Sequence, residues 1–130
     1  MMTKYVWKNS FNTGVEKIDL QHKFFLDCLN ECCGYSSSCS ESDFQEILAK
    51  MRHYAVTHFA FEEGLMRTFH YPELDHHIGC HKHFVEQFTE LEGATSAGLK
   101  DKVTSLSGLM RDWLLTHILE EDLKLVPYLT

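Results

Sequence analysis

Five histidines of this 130-residue chain stand where a metal ion could use them: His22, His58, His77, His81 and His117. Glu62 follows His58 by four residues and His81 follows His77 by four, so each pair projects from one helix face, one turn apart. Neutral imidazole nitrogens and ionised carboxylates are the donors that borderline divalent metals accept. Five imidazoles with at least one carboxylate exceed the four ligands of a structural zinc site, which favours two ions sharing bridging carboxylates. Past His117 the simple helical rule nominates Glu121, four residues on. Asp122, five on, would point inward only from a distorted or ending helix.

A single histidine on an apolar face is more often a hydrogen-bonded core residue than a ligand. The set is different in kind. Burying an unpaired carboxylate costs on the order of several kcal/mol and each unsatisfied imidazole roughly 1 to 3, against a domain stability of about 5 to 15. Cations remove that cost directly.

The elements that must position these donors follow from punctuation and periodicity. Three breaks divide the chain: the Ser-rich stretch 34–40, residues 70–73 around Pro72, and residues 93–98 between two glycines. Ser40 and Asp43 stand in capping-box spacing before the second segment, and Pro127 is expected to close the fourth. The apolar stripes run at spacings of three and four: Ile18, His22, Phe25, Leu29, Cys32; then Phe44 through Met51, Tyr54, His58, Glu62 and Met66 to Phe69. The third runs from Leu74 through His77, His81, Phe84, Val85 and Phe88 to Leu91, and the fourth from Val103 through Leu106, Met110, Trp113 and Leu114 to His117. Every stripe carries imidazole. The expected fold is all-α, an up-down-up-down four-helix bundle in one domain, with residues 1–17 as an N-terminal arm and residues 18–130 as the bundle.

Composition narrows the partners. A net charge of −7 argues against nucleic acid or an anionic membrane. No apolar run approaches the roughly 20 residues of a membrane helix, and the first residues lack a signal core, so no membrane insertion and a cytoplasmic location are expected. The five cysteines, Cys28, Cys32, Cys33, Cys39 and Cys80, form an odd set without a Cys-x-x-Cys pair and are expected to be reduced. His53, His70, His76 and His83 lie off the stripes and read as solvated, although His76, Cys80 and His83 share a helix face at spacings that suit an accessory metal.

The series His22, His58-x3-Glu62, His77-x3-His81, His117-x4-Asp122 resembles the seven-ligand signature of the hemerythrin family, above all its single-domain bacterial members. The likeness extends to Gly14-Val15, Ile18-Asp19, Gln21-His22-Lys23, His58-Phe59, Glu62-Glu63, Tyr71-Pro72 and Trp113-Leu114. It implies two irons with a bridging oxo or hydroxo group. His77, His81 and His117 would bind one, His22 and His58 the other, and Glu62 and Asp122 would bridge, which selects Asp122 over Glu121. The iron with two histidines keeps an open position, where the family binds O2 reversibly as hydroperoxide, for storage, transport or delivery, to an O2-consuming partner not identified by the sequence. Phe25, Phe59, Trp113, Leu114 and Ile118 lie within a turn of the ligands and are expected to wall that position. A binding protein rather than an enzyme is therefore expected. The alternatives are a di-iron redox enzyme acting on peroxide or nitric oxide, for which Tyr54, Glu63 and Glu121 are the candidate proton donors, or an O2- or redox-sensing module.

Overall fold

The computed structural model describes residues 5–34, 40–93 and 98–129. Cys39 and most of the first and third connections lie outside the described residues, as does the side chain of Cys33. Four helices carry the fold: α1 (Glu16–Gly34), α2 (Glu41–Thr68), α3 (Leu74–Glu92) and α4 (Leu99–Trp113). Each packs against its chain neighbours and α1 closes on α4, the ring expected of an up-down-up-down bundle. No strand occurs among the described residues.

The arm crosses onto the bundle and starts α1. The Tyr5 amide donates to Asn30 Oδ1 and Asn30 Nδ2 donates to the Tyr5 carbonyl, each at 2.8 Å, which ties the arm to α1. Asp19 accepts from the Thr13 amide (2.8 Å), the Thr13 hydroxyl (2.9 Å) and the Gly14 amide (3.3 Å), holding the turn that precedes the helix. Gly14 sits at φ 89°, where a Cβ would be strained. The helix opens at Glu16, two residues before the expected boundary.

At α2 the expected capping box is present in both directions: the Asp43 amide donates to Ser40 Oγ and the Ser40 amide to the Asp43 carboxylate. Its far end closes through a left-handed His70 (φ 54°), with the Tyr71 amide on the Met66 carbonyl and the His70 amide on that of Arg67. These are the two bonds of a Schellman ending.

The fourth element departs from the expected single helix. After Trp113 the backbone widens into a π-helix over Leu114–Glu121, then tightens into a 3-10 helix over Leu123–Tyr128. Pro127 therefore sits inside the last turn instead of beyond it.

The stripes predict the interior well at their centres. Ile18, Phe25, Leu29, Met51, Leu106 and Met110 are fully enclosed. Phe69 and Val85 are corrections: both are over a third exposed, because Phe69 is the cap residue where α2 ends at the surface and Val85 faces outward between turns. The main core fills one end of the bundle, and a small cluster of Met66, Tyr71 and Leu125 closes the other. The donor side chains lie between these two apolar plugs.

Candidate metal centre

All seven expected donors are buried, none more than 2% exposed, and the bundle brings them together. The ligand-capable atoms form two groups. Glu62, His77, His81, His117 and Asp122 make one; His22, His58, Glu62 and Asp122 make the other. Both carboxylates belong to both.

Their oxygens divide in the same sense. Glu62 Oε1 faces His77 (2.5 Å), His81 (3.1 Å) and His117 (3.9 Å), while its Oε2 faces His58 (3.1 Å). Asp122 Oδ1 faces His77 (2.9 Å) and His117 (3.0 Å), while its Oδ2 faces His22 (2.9 Å) and, at 4.0 Å, His58. In every case the histidine presents Nε2. Each carboxylate thus stands across two sets of imidazoles: Glu62 turns one oxygen toward His77, His81 and His117 and the other toward His58, and Asp122 turns one toward His77 and His117 and the other toward His22 and His58.

Asp122 reaches this place because of the π-helix. Its amide bonds to the His117 carbonyl five residues back, at 2.8 Å, so a side chain five residues on comes round to the face of His117. Glu121 is turned away: its carboxylate meets Lys124 (3.1 Å) and His76 (3.5 Å) at the surface.

Electrostatics shows what the site lacks. Burial alone would raise the Glu62 carboxyl, but the imidazoles of His117, His58, His77 and His81 ranged about its oxygens outweigh it and hold the group well below the usual range. Asp122 is likewise lowered, with His117 and His22 overcoming burial and the repulsion of Glu62. Burial would lower His77, yet Asp122 and Glu62 push it up to about 9, and they raise His117. His58 is lowered, chiefly by burial. Both carboxylates are therefore held in the ionised form, and among the described residues no lysine or arginine pairs with them. Glu62 Oε2, both Asp122 oxygens and Nε2 of His22, His58 and His117 are buried without a hydrogen-bond partner among the described residues. Orphaned donor atoms of these types, converging from four helices, fit a pair of cations.

Outer partners set the imidazole orientation. His58 Nδ1–H donates to Gln21 Oε1 at 2.6 Å, and His81 Nδ1–H to Glu63 Oε2 at 2.8 Å, which leaves each Nε2 lone pair aimed inward. Three rings are also backed by stacked aromatics: His58 by Tyr54 (centroids 4.9 Å apart), His81 by Phe59 (4.0 Å) and His117 by Trp113 (3.8 Å). The sequence placed Tyr54 on the second stripe and Gln21 and Glu63 beside His22 and Glu62 in the family motifs, and gave Tyr54 and Glu63 no role beyond candidate proton donors. The signals for their actual places were present: Tyr54 lies one turn before His58, and Gln21 and Glu63 adjoin ligand positions.

Phe25, Phe59, Trp113, Leu114 and Ile118 are all buried. Phe59 and Trp113 brace the half with three imidazoles, since their rings lie flat on His81 and His117. Of the other expected solvated histidines, His53, His76 and His83 are exposed, and His70 forms the helix ending described above. Cys28 and Cys80 carry free thiols. None of the described helices is long and apolar enough to cross a membrane.

Residues 13–129 match the family described as the Hemerythrin HHE cation binding domain. The bacteriohemerythrin of Pseudomonas aeruginosa PAO1 is 31% identical over 121 residues, covering 93% of this chain and 78% of that protein. That of Clostridium acetobutylicum is 26% identical over 125 residues, covering 91% and 95%. The myohemerythrin of the leech Theromyzon tessulatum is 31% identical over 121 residues, covering 92% and 89%.

Proposed function

This chain belongs to the hemerythrin family, and on that premise we propose that its buried centre holds two irons and binds O2 reversibly. The observation that carries the reading is the division of Glu62 and Asp122, each with one oxygen toward the group of His77, His81 and His117 and the other toward the group of His22 and His58. Two carboxylates shared in that way suit a bridged pair, and the unequal imidazole count suits one filled and one open ion. His77, His81 and His117 hold the first, His22 and His58 the second. An iron pair supplies two electrons that can be lent to O2 and recovered.

The protein's own contribution is order and exclusion. Gln21 and Glu63 keep the His58 and His81 tautomers that present Nε2. Phe25, whose ring packs on Tyr54, and the buried Leu114 and Ile118 would form the apolar wall that keeps water and protons from the half with two histidines. Tyr54, the buried hydroxyl nearest that half, is pushed well above its usual pKa by burial and by the Asp122 and Glu62 charges, so it keeps its proton. A donor set dominated by neutral imidazole favours binding over oxygenation, so the reading is of a binding protein and not an enzyme. The free thiols of Cys28 and Cys80 suit a reducing compartment such as the cytoplasm.

The test is a metal count with the visible spectrum of the reduced protein in the absence of air, in air, and after O2 is removed. Two irons per chain and a charge-transfer band that comes and goes with O2 support the reading. Zinc, or oxidation in one step with no recoverable oxygenated form, overturns it.

A further inference from the structure

The outer face between α3 and α4 carries donors that the paired centre leaves unused. His76, Cys80 and His83 follow one another at spacings of four and three, so they share one face of α3. With Glu121 and Asp112 they line a cleft of about 600 Å³ whose inner wall is Trp113 and His117. Cys80 Sγ lies 3.7 Å from His76 Nε2, and Glu121 Oε2 lies 3.5 Å from the same nitrogen. Ligands held at metal distances of about 2.0 to 2.3 Å in a tetrahedron stand roughly 3.3 to 3.7 Å from one another. The spacings about His76 are of that size.

Glu121 owes its position to the register change that turns Asp122 inward, so adjacent carboxylates serve opposite sides of one helix. The cleft also has a polar floor. His117 is 2% exposed, and its Nδ1 has no hydrogen-bond partner among the described residues.

We propose that His76, Cys80 and Glu121, with His83 beside them on the same face, form an accessory site for a borderline divalent cation such as zinc or ferrous iron. Thiolate, imidazole and carboxylate together select this class over magnesium or calcium, which prefer all-oxygen shells. Among the described residues only the two internal groups converge as they stand. The outer donors close by rotation of the His76 or Glu121 side chain, and the exposed Lys124 pairing that Glu121 gives up contributes little. The site is independent of which metal fills the paired centre.

The experiment uses the metal-loaded protein, titrated with Co2+ and followed by difference absorption. The expected result is one further equivalent of cobalt, with a thiolate-to-cobalt charge-transfer band in the near ultraviolet. Cys80→Ser removes the band, and His76→Ala weakens cobalt binding at least tenfold, while the metal content and visible spectrum of the paired centre stay unchanged in both. In the unaltered protein, Zn2+ slows alkylation of Cys80, mapped by mass, at least tenfold. No cobalt uptake beyond the centre's own ions, a band that persists in Cys80→Ser, or an alkylation rate indifferent to Zn2+ overturns the proposal.

Discussion

The indole Nε1 of Trp113 donates a hydrogen bond to the Tyr54 hydroxyl across 3.3 Å of buried space. Tyr54 lies flat against His58, and Trp113 lies flat against His117. One hydrogen bond between α2 and α4 therefore joins the rings that brace opposite halves of the centre. The same contact gives the indole N–H its only acceptor among the described residues, in an apolar setting.

Tyr54→Phe keeps the stack on His58 but leaves that N–H unsatisfied. We expect a loss of about 1 to 3 kcal/mol, the cost of a buried donor without a partner. Urea denaturation of the metal-loaded protein measures it, and metal content is expected to remain at two per chain. A variant as stable as the parent would show that Trp113 finds another acceptor.

Glu62 serves both groups of donors, so Glu62→Ala is expected to empty the centre as a whole. His58→Ala should lose metal chiefly from the half with two histidines. An ion present at about 100 times its dissociation constant contributes roughly 2.7 kcal/mol to the folded state. Both variants should accordingly melt several degrees lower than the loaded parent. Metal analysis beside thermal melting checks this; full loading of either variant contradicts the ligand assignment.

Gln21→Ala removes the acceptor for His58 Nδ1–H without touching a ligand atom. Loss of such an orienting partner typically costs about 10- to 100-fold in metal affinity. Competition against a chelator of known strength reads the change, and Glu63→Ala is expected to act in the same way through His81.

Leu114 is 1% exposed and offers no polar atom beyond its backbone. Leu114→Ala should retain both metals yet shorten the life of the oxygenated form, because a smaller side chain admits water and protons. The decay of the charge-transfer band in air is the readout. An unchanged decay would place the protecting wall elsewhere.

The metal-free protein should have a distinctive pH dependence. Glu62 and Asp122 have lowered pKa values, so their contribution is complete above the ordinary carboxyl value, 4.5 for Glu62, and is lost as acid reaches their folded values. His77 is raised from 6.5 to about 9, so its contribution is complete below pH 6.5 and is lost on passing about 9. His58, lowered by burial, opposes this by costing stability below pH 6.5. The melting temperature of the chelator-treated protein is expected to fall between pH 6.5 and 9.5. In the loaded protein, where cations hold the imidazoles neutral, it should change little over that interval.

Much of this protein was legible in its residues. Apolar spacing of three and four, broken by imidazole in all four stripes, is enough for an all-α bundle with a polar interior, because nothing but a cation or a full set of hydrogen bonds makes such burial tolerable. The spacing of four in His58–Glu62 and His77–His81 is likewise a local property of helix geometry. The choice between Glu121 and Asp122 was not local. Leu114–Glu121 contains no proline or glycine to announce a change of pitch, and helical periodicity from His117 favours Glu121. Family resemblance chose Asp122; the physical reason is the i to i+5 bond from Asp122 to His117, which only a chain packed on three neighbouring helices can adopt and keep. The contact of Glu121 with His76 and the union of Tyr54 with Trp113 depend on the same assembly, since each joins residues dozens of positions apart that no sequence spacing relates.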